Sequence, residues 1–251
     1  MKEFENLKNV NYLDEKNLIL RNCQSINLYG QTTAKIFGNS KNIILHDKSI
    51  AKVYDSSSVE CYDSTTVFLR NSATGVLYGL ATADCRGFSS VRLHNLSSAD
   101  VYEQSLVVLY DHSTARLQNL SKGKFYNSSF GKIYGYSTAE FYGTSSAEVY
   151  NSSSVKVYNS SKVILYDYSS AEFYDESFGE LNNLSSGRFY NYSSGELYNS
   201  SSAEVYDSSV VELYDTSSKA ISFSKKAKIV KLVAFCDSQV INPQSPYGNH
   251  A

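Results

Sequence analysis

The chain has 251 residues, a formal net charge of -2, and 22 tyrosines beside only 2 prolines. So small a net charge argues against a protein that coats nucleic acid, because Lys and Arg dominate the binding of phosphates. No apolar run approaches the roughly 18 residues of a membrane span, and the N-terminus lacks an apolar signal segment. We therefore expect a soluble, cytoplasmic protein.

The first 25 residues are predicted to form degenerate repeats that cap the N-terminal end. Residues 26–218 follow an eight-residue pattern, with one extra residue at Asn42. Residues 219–251 are predicted to form a C-terminal cap strand and a tail. Because repeats stack on their neighbours, we expect these parts to form a single elongated domain.

The pattern is regular from Ala51 to Ser218, as 21 consecutive units that we call octads and number so that Ala139 is position 1. Position 1 is Ala, Val or Gly, position 3 is apolar in every octad and position 7 is small. Position 2 is charged in 17 octads, and position 4 is Tyr in 16. This alternation predicts a strand whose positions 1, 3 and 7 face inward. Position 5 is Asn, Asp or Gly in all octads but one, which is typical of a tight turn.

One octad is too short to close a coil, whereas two octads give two strands on opposite walls. We therefore predict an all-β fold, namely a single-stranded parallel β-solenoid that is flat and two-sided, with about 16 residues per coil. In such a coil, position 3 of one wall is expected to face position 7 of the other. Four octads have Phe at position 3 and compensate with Gly or Ala at position 1, as close packing requires. These phenylalanines are Phe125, Phe141, Phe173 and Phe189.

The octads of residues 147–162 read Ala-Glu-Val-Tyr-Asn-Ser-Ser-Ser and Val-Lys-Val-Tyr-Asn-Ser-Ser-Lys. This row resembles the octapeptide-repeat β-solenoid proteins of bacteria and their phages. The likeness covers about residues 26–218 and concerns core and turn positions. It therefore implies an architecture and carries over no enzymatic residue.

The titratable residues show no arrangement typical of catalysis. The 4 histidines fall at position 4, at a turn and near the C-terminus, and the 4 cysteines lack Cys-x-x-Cys spacing. Neither a nucleophilic triad nor a metal cluster is indicated. Cys61 and Cys85 take inward position 3, so we predict that they are core residues. We expect no enzyme activity, no cofactor and no metal.

Two segments of the repeat region differ in charge. Residues 139–218, which we call the acidic limb, contain twelve acidic and three basic residues, whereas residues 115–138, the basic girdle, contain four basic and no acidic residues. We expect a protein partner with a basic surface to bind the Tyr and Glu columns of the acidic limb. The predicted binding residues are Glu172, Glu180, Glu196, Tyr198, Glu204, Tyr206, Glu212 and Tyr214. An alternative basic patch consists of Arg116, Lys124 and Lys132.

The leading hypothesis is thus a non-catalytic solenoid that binds a protein. One version of this hypothesis is an inhibitor, encoded by a phage or mobile element, whose carboxylates imitate nucleic-acid phosphates. Direct binding of nucleic acid by the chain itself is not expected. The alternative is a structural rod that self-assembles end to end or laterally. The Tyr column has two interpretations, either rings stacked on each wall to shield the backbone or an aromatic platform for the partner.

Two further features concern surfaces. A weak 16-residue signal at position 6 predicts one wall for Leu120, Tyr136, Tyr168 and Leu184. Beyond the last octad, lysines interrupt an apolar series, at Lys219, Lys225, Lys226, Lys228 and Lys231. Lysines on a terminal strand guard against edge-to-edge aggregation. The alternative is a docking strand through which a second copy or another partner binds, which would make a homo-oligomer.

Overall fold

The computed structural model describes residues 2–232, which contain strands and turns and no helix. The strands alternate along the chain between two parallel sheets, which we call the odd sheet and the even sheet. The odd sheet has 15 strands: β1 (Lys2–Glu5), β3 (Leu18–Arg21), β5 (Thr33–Phe37), β7 (Ile50–Val53), β9 (Thr66–Leu69), β11 (Thr82–Cys85), β13 (Ser98–Val101), β15 (Thr114–Leu117), β17 (Phe130–Ile133), β19 (Ser146–Val149), β21 (Lys162–Leu165), β23 (Phe178–Leu181), β25 (Ser194–Leu197), β27 (Val210–Leu213) and β29 (Lys228–Lys231). The even sheet has 14 strands: β2 (Lys8–Leu13), β4 (Gln24–Tyr29), β6 (Lys41–Leu45), β8 (Ser58–Cys61), β10 (Thr74–Leu77), β12 (Ser90–Leu93), β14 (Leu106–Leu109), β16 (Lys122–Phe125), β18 (Thr138–Phe141), β20 (Ser154–Val157), β22 (Ser170–Phe173), β24 (Ser186–Phe189), β26 (Ser202–Val205) and β28 (Lys219–Ser222).

Each strand pairs in parallel with the strand two places further along the chain. Thr74 of β10, for example, pairs with Ser90 of β12, so residues 16 apart lie side by side. This register confirms the predicted flat, two-sided solenoid, which has about 14 turns. With about 4.8 Å between paired strands, the body is about 65 Å long.

The inward positions 1, 3 and 7 of the octads are buried, as predicted. The octad pattern predicts a strand of positions 7, 8, 1, 2, 3 and 4 with a corner at positions 5 and 6. The strands of the structure are shorter, since they run only from position 8 to position 3, and positions 4 and 7 belong to the turn. The turn is closed by a backbone hydrogen bond from position 7 to position 4, as from Ser145 to Tyr142 at 3.4 Å. Position 5 has a positive φ of 53° to 80° in every octad except the last, which contains Asp215, and Asn, Asp and Gly tolerate this conformation best. Glu103, the exception in the sequence, adopts the same conformation with a φ of 60°.

Most of the buried hydroxyls at position 7 are satisfied inside the core. Ser137 Oγ donates to the carbonyl of Tyr134 at 2.8 Å and lies 3.2 Å from Ser121 Oγ of the preceding coil. A buried hydroxyl is costly without such partners. Serine therefore fits position 7 because it is small and because the turn supplies acceptors.

The phenylalanine rings pack against position 1 of two successive octads. A Cβ added to Gly131, on the opposite wall, would lie 2.7 Å from Cζ of Phe125, and one added to Gly179 would collide with the ring of Phe173. The residues that follow the four phenylalanines at the next position 1 are Gly131, Ala147, Gly179 and Gly195. The expectation that position 3 faces position 7 is therefore incomplete, since a ring is long enough to reach position 1 across the core.

The N-terminal coils contain local irregularities. Asn42 is confirmed as an extra residue, because β5 pairs with β7 one residue beyond the usual register and Asn42 has a φ of 54°. Octads counted back to residue 18 place Gln24 inward, but the structure buries Cys23 and exposes Gln24. Ser25 restores the alternation with a φ of 56°.

At the C-terminal end, Ser218 rather than Ser217 is buried, because the last turn contains one more residue. Burial opposes ionisation of Asp215 in this turn, but hydrogen bonds from Ser217, Ser218 and Asn199 outweigh it and lower its pKa to about 2. Strands β28 and β29 then end the two sheets. The tail that the sequence predicts beyond residue 232 lies outside the described residues.

Candidate functional site

The predicted binding residues do not share one face. Glu180, Glu196 and Glu212 lie on strands of the odd sheet, and Tyr198 and Tyr214 follow two of those strands. The remaining three belong to the even sheet: Glu172, Glu204 and Tyr206. Because consecutive octads alternate between walls, a run of acidic residues in the sequence is divided between opposite faces of the solenoid.

On the even sheet, position 2 of the acidic limb and girdle alternates in charge from coil to coil. Lys124 Nζ lies 3.0 Å from Glu140 Oε2, and Lys156 Nζ lies 3.2 Å from Glu172 Oε2. The alternation continues through Arg188, whose Nε donates to Glu204 at 3.0 Å. Cross-strand neighbours of opposite charge stabilise a sheet. The even face of the acidic limb is therefore neutralised by its own cations.

On the odd sheet, three glutamates stand in direct register with one another. Glu180 pairs with Glu196 across β23 and β25, and Glu196 pairs with Glu212 across β25 and β27. None of the three forms an ion pair with another residue within 2–232. We call Glu180, Glu196 and Glu212 the Glu column. It is a line of three carboxylates spaced about 4.8 Å apart.

The residue at position 4 orients each carboxylate of the Glu column. Tyr198 donates its hydroxyl to Glu196 Oε2 at 2.9 Å, and Tyr214 donates to Glu212 Oε2 at 2.9 Å. Asn182 takes the same place beside Glu180, with its Nδ2 at 2.9 Å from Oε1. Burial, and then the bond to Glu196, raise the pKa of Tyr198. These donors hold the carboxylates in one arrangement on a flat face, which lowers the ordering cost of binding.

The aromatic column at position 4 is continuous on the even sheet only. Thirteen rings stack there with centroids 4.7 to 5.4 Å apart. They are Tyr29, His46, Tyr62, Tyr78, His94, Tyr110, Tyr126, Tyr142, Tyr158, Tyr174, Tyr190, Tyr206 and Phe223. On the odd sheet the column is interrupted at Arg70, Arg86, Gln118 and Asn182. The expectation of a ring column on each wall is thus correct for the even sheet alone.

The stacked arrangement limits what the tyrosine ladder can bind. Both faces of an interior ring, such as Tyr158, are covered by the rings of the adjacent coils. The ladder presents ring edges and hydroxyls, so a ligand cannot stack on it except at its ends. His46 and His94 are members of the ladder, which gives these two histidines a structural role.

We expect the free energy of unfolding to fall as the pH rises from 10 to about 12. Burial, and then a hydrogen bond to Glu172, raise the pKa of Tyr174 from 10.0 to about 12. Between pH 10 and about 12 the unfolded chain loses the phenol proton of Tyr174, whereas the folded protein keeps it. The contribution of this tyrosine to the free energy of unfolding is therefore fully present below pH 10 and is lost as the pH rises through this window. Denaturant titrations across this range test the effect. Burial, and then a hydrogen bond to Glu140, also raise the pKa of Tyr142. The variant Tyr142→Phe/Tyr174→Phe should therefore show a weaker dependence, and stability that is constant across the window would contradict the prediction.

The residues of the alternative basic patch are also divided, and each has an acidic neighbour. Arg116 and Lys132 lie on the odd sheet and Lys124 on the even sheet. Arg116 is 3.8 Å from Asp100, Lys132 is 2.8 Å from Glu148, and Lys124 is paired with Glu140. Paired cations attract an anionic partner less than free ones do. The structure therefore favours the Glu column over the basic girdle as a charged surface.

The concave surfaces of the described residues are shallow. A groove of about 510 Å³ follows the even face, with a floor of Ser154, Ser170, Ser186 and Ser202 beside the alternating charges of position 2. Residues 2–232 contain no cluster of three or more His, Cys, Asp or Glu that would hold a metal. Burial raises the pKa of the Cys61 and Cys85 thiols to about 12, which leaves them unreactive at neutral pH.

Within residues 2–232 we find no helix with the length and apolar character needed to cross a bilayer. Comparisons of the chain with protein-family models, with curated proteins and with solved structures found no match. The resemblance to octapeptide-repeat solenoids therefore stays a prediction. The geometry of the two faces is therefore the basis for a functional proposal. Its most distinctive element is the Glu column, in which like charges lie in direct register.

Proposed function

We propose that this protein is a non-catalytic binding rod, and that the Glu column of its odd sheet recognises a basic surface on a protein partner. Like charges directly opposite each other in a sheet are destabilising. The even sheet of the same acidic limb avoids this cost by alternating Lys or Arg with Glu. The proposal rests on the direct pairing of Glu180, Glu196 and Glu212 with no cation paired to them within residues 2–232, because a cationic partner would offset the repulsion between their carboxylates.

The geometry suits steering and docking of a cationic segment. A line of like charges on one flat face raises the encounter rate with a basic surface, and the effect weakens as salt is added. The pair Tyr198 and Tyr214, stacked with centroids 4.7 Å apart, lies beside the column and adds contact area. Tyrosine is favoured at interfaces because it provides large area at low entropic cost.

Imitation of nucleic acid by an inhibitor is a narrower form of this proposal. The column repeats about every 4.8 Å, whereas one strand of duplex DNA carries a phosphate about every 3.4 Å of its axis. Three carboxylates cover only a short stretch, so the mimicry would concern a local site. If it holds, duplex DNA should compete with the rod for the same partner.

The alternative function, a structural rod that assembles laterally, is favoured by a different surface. Large apolar side chains stand exposed at position 6 along the edges of the solenoid, among them Leu120, Tyr136 and Tyr168. Such side chains are expected at an interface and are unfavourable in water. Lateral assembly and recognition of a basic partner use different residues, so one does not exclude the other.

The test of the proposal compares the two faces with an oligolysine peptide as the probe. We expect Glu180→Gln/Glu196→Gln/Glu212→Gln to lower the association rate on the order of tenfold at low salt and to flatten its salt dependence. The control is Glu140→Gln/Glu172→Gln/Glu204→Gln, which changes net charge equally on the even face. Equal losses for the two variants would show that net charge alone acts, and no loss for the first would also refute the proposal.

The tyrosines beside the column provide a second measurement on the same probe. Tyr198→Ala/Tyr214→Ala should mainly raise the dissociation rate, because lost contacts act after encounter. Tyr206→Ala, in the ladder on the opposite wall, should leave both rates unchanged. A dissociation rate that responds to Tyr206 and not to the other two would place the binding surface on the even sheet.

A further inference from the structure

One edge of the solenoid, formed by the turns that follow the odd strands, carries a short row of exposed apolar side chains. Position 6 of five successive turns at this edge holds Leu120, Tyr136, Ser152, Tyr168 and Leu184. Both tyrosines are 69% exposed, and the leucines are 54% and 52% exposed. One residue per coil gives a straight row about 19 Å long. The predicted 16-residue signal at position 6 is therefore confirmed as a single edge.

The order of side chains along this row is the same in both directions, as Leu, Tyr, Ser, Tyr, Leu. Position 4 of the same five octads has a similar symmetry, with tyrosines at the three inner coils and amides at the two outer ones. These residues are Gln118, Tyr134, Tyr150, Tyr166 and Asn182. Two-fold interfaces use the same patch on both subunits, so the patch must complement its own reversed copy. A two-fold axis through Ser152, perpendicular to the sheets, meets this condition.

Charge supports the same antiparallel alignment. Coils on the N-terminal side of Ser152 contain the basic girdle, and coils on the C-terminal side contain Asp167, Glu172 and Glu180. Reversal about Ser152 brings the girdle of one rod alongside these acidic coils of the other. A parallel alignment would place like charges side by side, which is unfavourable. The pattern of apolar groups and the distribution of charge thus favour the same partner, which is a second copy of this chain.

We propose that two copies pack edge to edge and antiparallel, about a two-fold axis through Ser152, with Tyr136 of one copy against Tyr168 of the other. Leu120 of one copy then meets Leu184 of the other at both ends of the row. Because the row is short, the interface falls in the small class of protein contacts, with a dissociation constant on the order of micromolar. The apolar row contains no residue of the Glu column, although Glu180 lies on one of the acidic coils beside it, so dimerisation and partner binding rest on different contact residues.

The opposite edge of the solenoid provides a matched control. Its turns also expose apolar side chains at position 6, at Leu80, Leu96 and Tyr192, which are 59%, 61% and 73% exposed. Between Leu96 and Tyr192 the intervening turns of this edge carry only polar or charged residues at position 6. The side chains therefore form no symmetric row, although their exposure is similar.

The first experiment measures mass by sedimentation equilibrium over a concentration range that spans the micromolar region. The unmodified chain should pass from monomer to dimer as concentration rises, Tyr136→Ser/Tyr168→Ser should stay monomeric, and Leu80→Ser/Tyr192→Ser should dimerise normally. Circular dichroism verifies that all three proteins are folded. A folded unmodified chain that stays monomeric throughout, or a loss of dimer in the Leu80→Ser/Tyr192→Ser variant alone, would overturn the proposal.

The second experiment tests the register of the two copies by oxidation, in a Cys236→Ser background. This change removes the one cysteine outside the described residues, and the other three, Cys23, Cys61 and Cys85, are buried. Ser152→Cys places a thiol on the two-fold axis and should give a covalent dimer readily. Ser200→Cys lies on the same edge three coils away, about 29 Å from its symmetry mate, and should stay reduced. Rapid cross-linking through position 200, or none through position 152, would show that the axis does not pass through Ser152.

Discussion

Replacing Phe173 by alanine should lower the free energy of unfolding by about 3 to 5 kcal/mol. The ring is fully buried, stacks on Phe189 with centroids 4.6 Å apart, and covers Gly179 on the opposite wall. The glycine cannot fill the space that the ring leaves, and paired strands above and below hold the wall in place. The cavity should therefore persist. Denaturant unfolding of Phe173→Ala against the unmodified chain measures the loss.

Two variants show whether this loss reflects packing at the ring. Glu172→Gln, one residue away but outward, breaks exposed ion pairs with Lys156 and Arg188 and should cost at most about 1 kcal/mol. Gly179→Ala adds a methyl group where the ring already lies and should cost about 1 to 3 kcal/mol. That penalty should disappear when Phe173→Ala is present. Equal losses for Phe173→Ala and Glu172→Gln would contradict the inward and outward assignment.

Removing residues 219–251 should make the protein aggregate, although every octad is retained. This truncation deletes β28 and β29, which pair with β26 and β27 and end the two sheets. The exposed edge of β27 would then offer the unpaired backbone of an apolar strand, and such edges recruit other chains. The lysines at both ends of β29 oppose this pairing in the full chain. Light scattering after purification measures the aggregation.

A chain that ends at Leu232 is the control, because it keeps both terminal strands. It should stay soluble if β28 and β29 form the cap. Should the chain truncated after Ser218 prove equally soluble, the cap would be unnecessary. Should the chain that ends at Leu232 aggregate as well, the protecting segment would lie further toward the C-terminus.

The sequence predicts the architecture well because packing restricts every inward position. An inward position in a thin core accepts only a narrow range of volumes, so positions 1, 3 and 7 repeat with little variation. The same restriction explains why Phe125 requires a small residue both in its own octad and at Gly131. The first requirement is visible within one octad of the sequence, whereas the second links neighbouring octads on opposite walls and becomes evident only from the structure.

The outward positions are less restricted, and the candidate site was therefore predicted less well. The acidic residues of the limb follow one another in the sequence, but neighbouring octads face opposite directions. Separating odd from even octads reveals the alternation from Lys124 to Glu204 on one wall and the Glu column on the other. The irregular turns that bury Cys23 and Ser218 could not be predicted, because a turn accommodates one residue more or less with little change in composition.

The division of residues between two walls underlies every proposal above, and engineered disulfides test it directly. In a Cys236→Ser background, Ser170→Cys/Ser186→Cys joins residues that pair across β22 and β24 and lie about 5 Å apart. Ser170→Cys/Phe178→Cys joins residues on opposite walls, whose separation of about 10 Å exceeds what a disulfide spans. We expect mild oxidation to close the first pair within the monomer and to leave the second reduced. Rapid closure of the second pair and not of the first would contradict the two-sided coil of 16 residues.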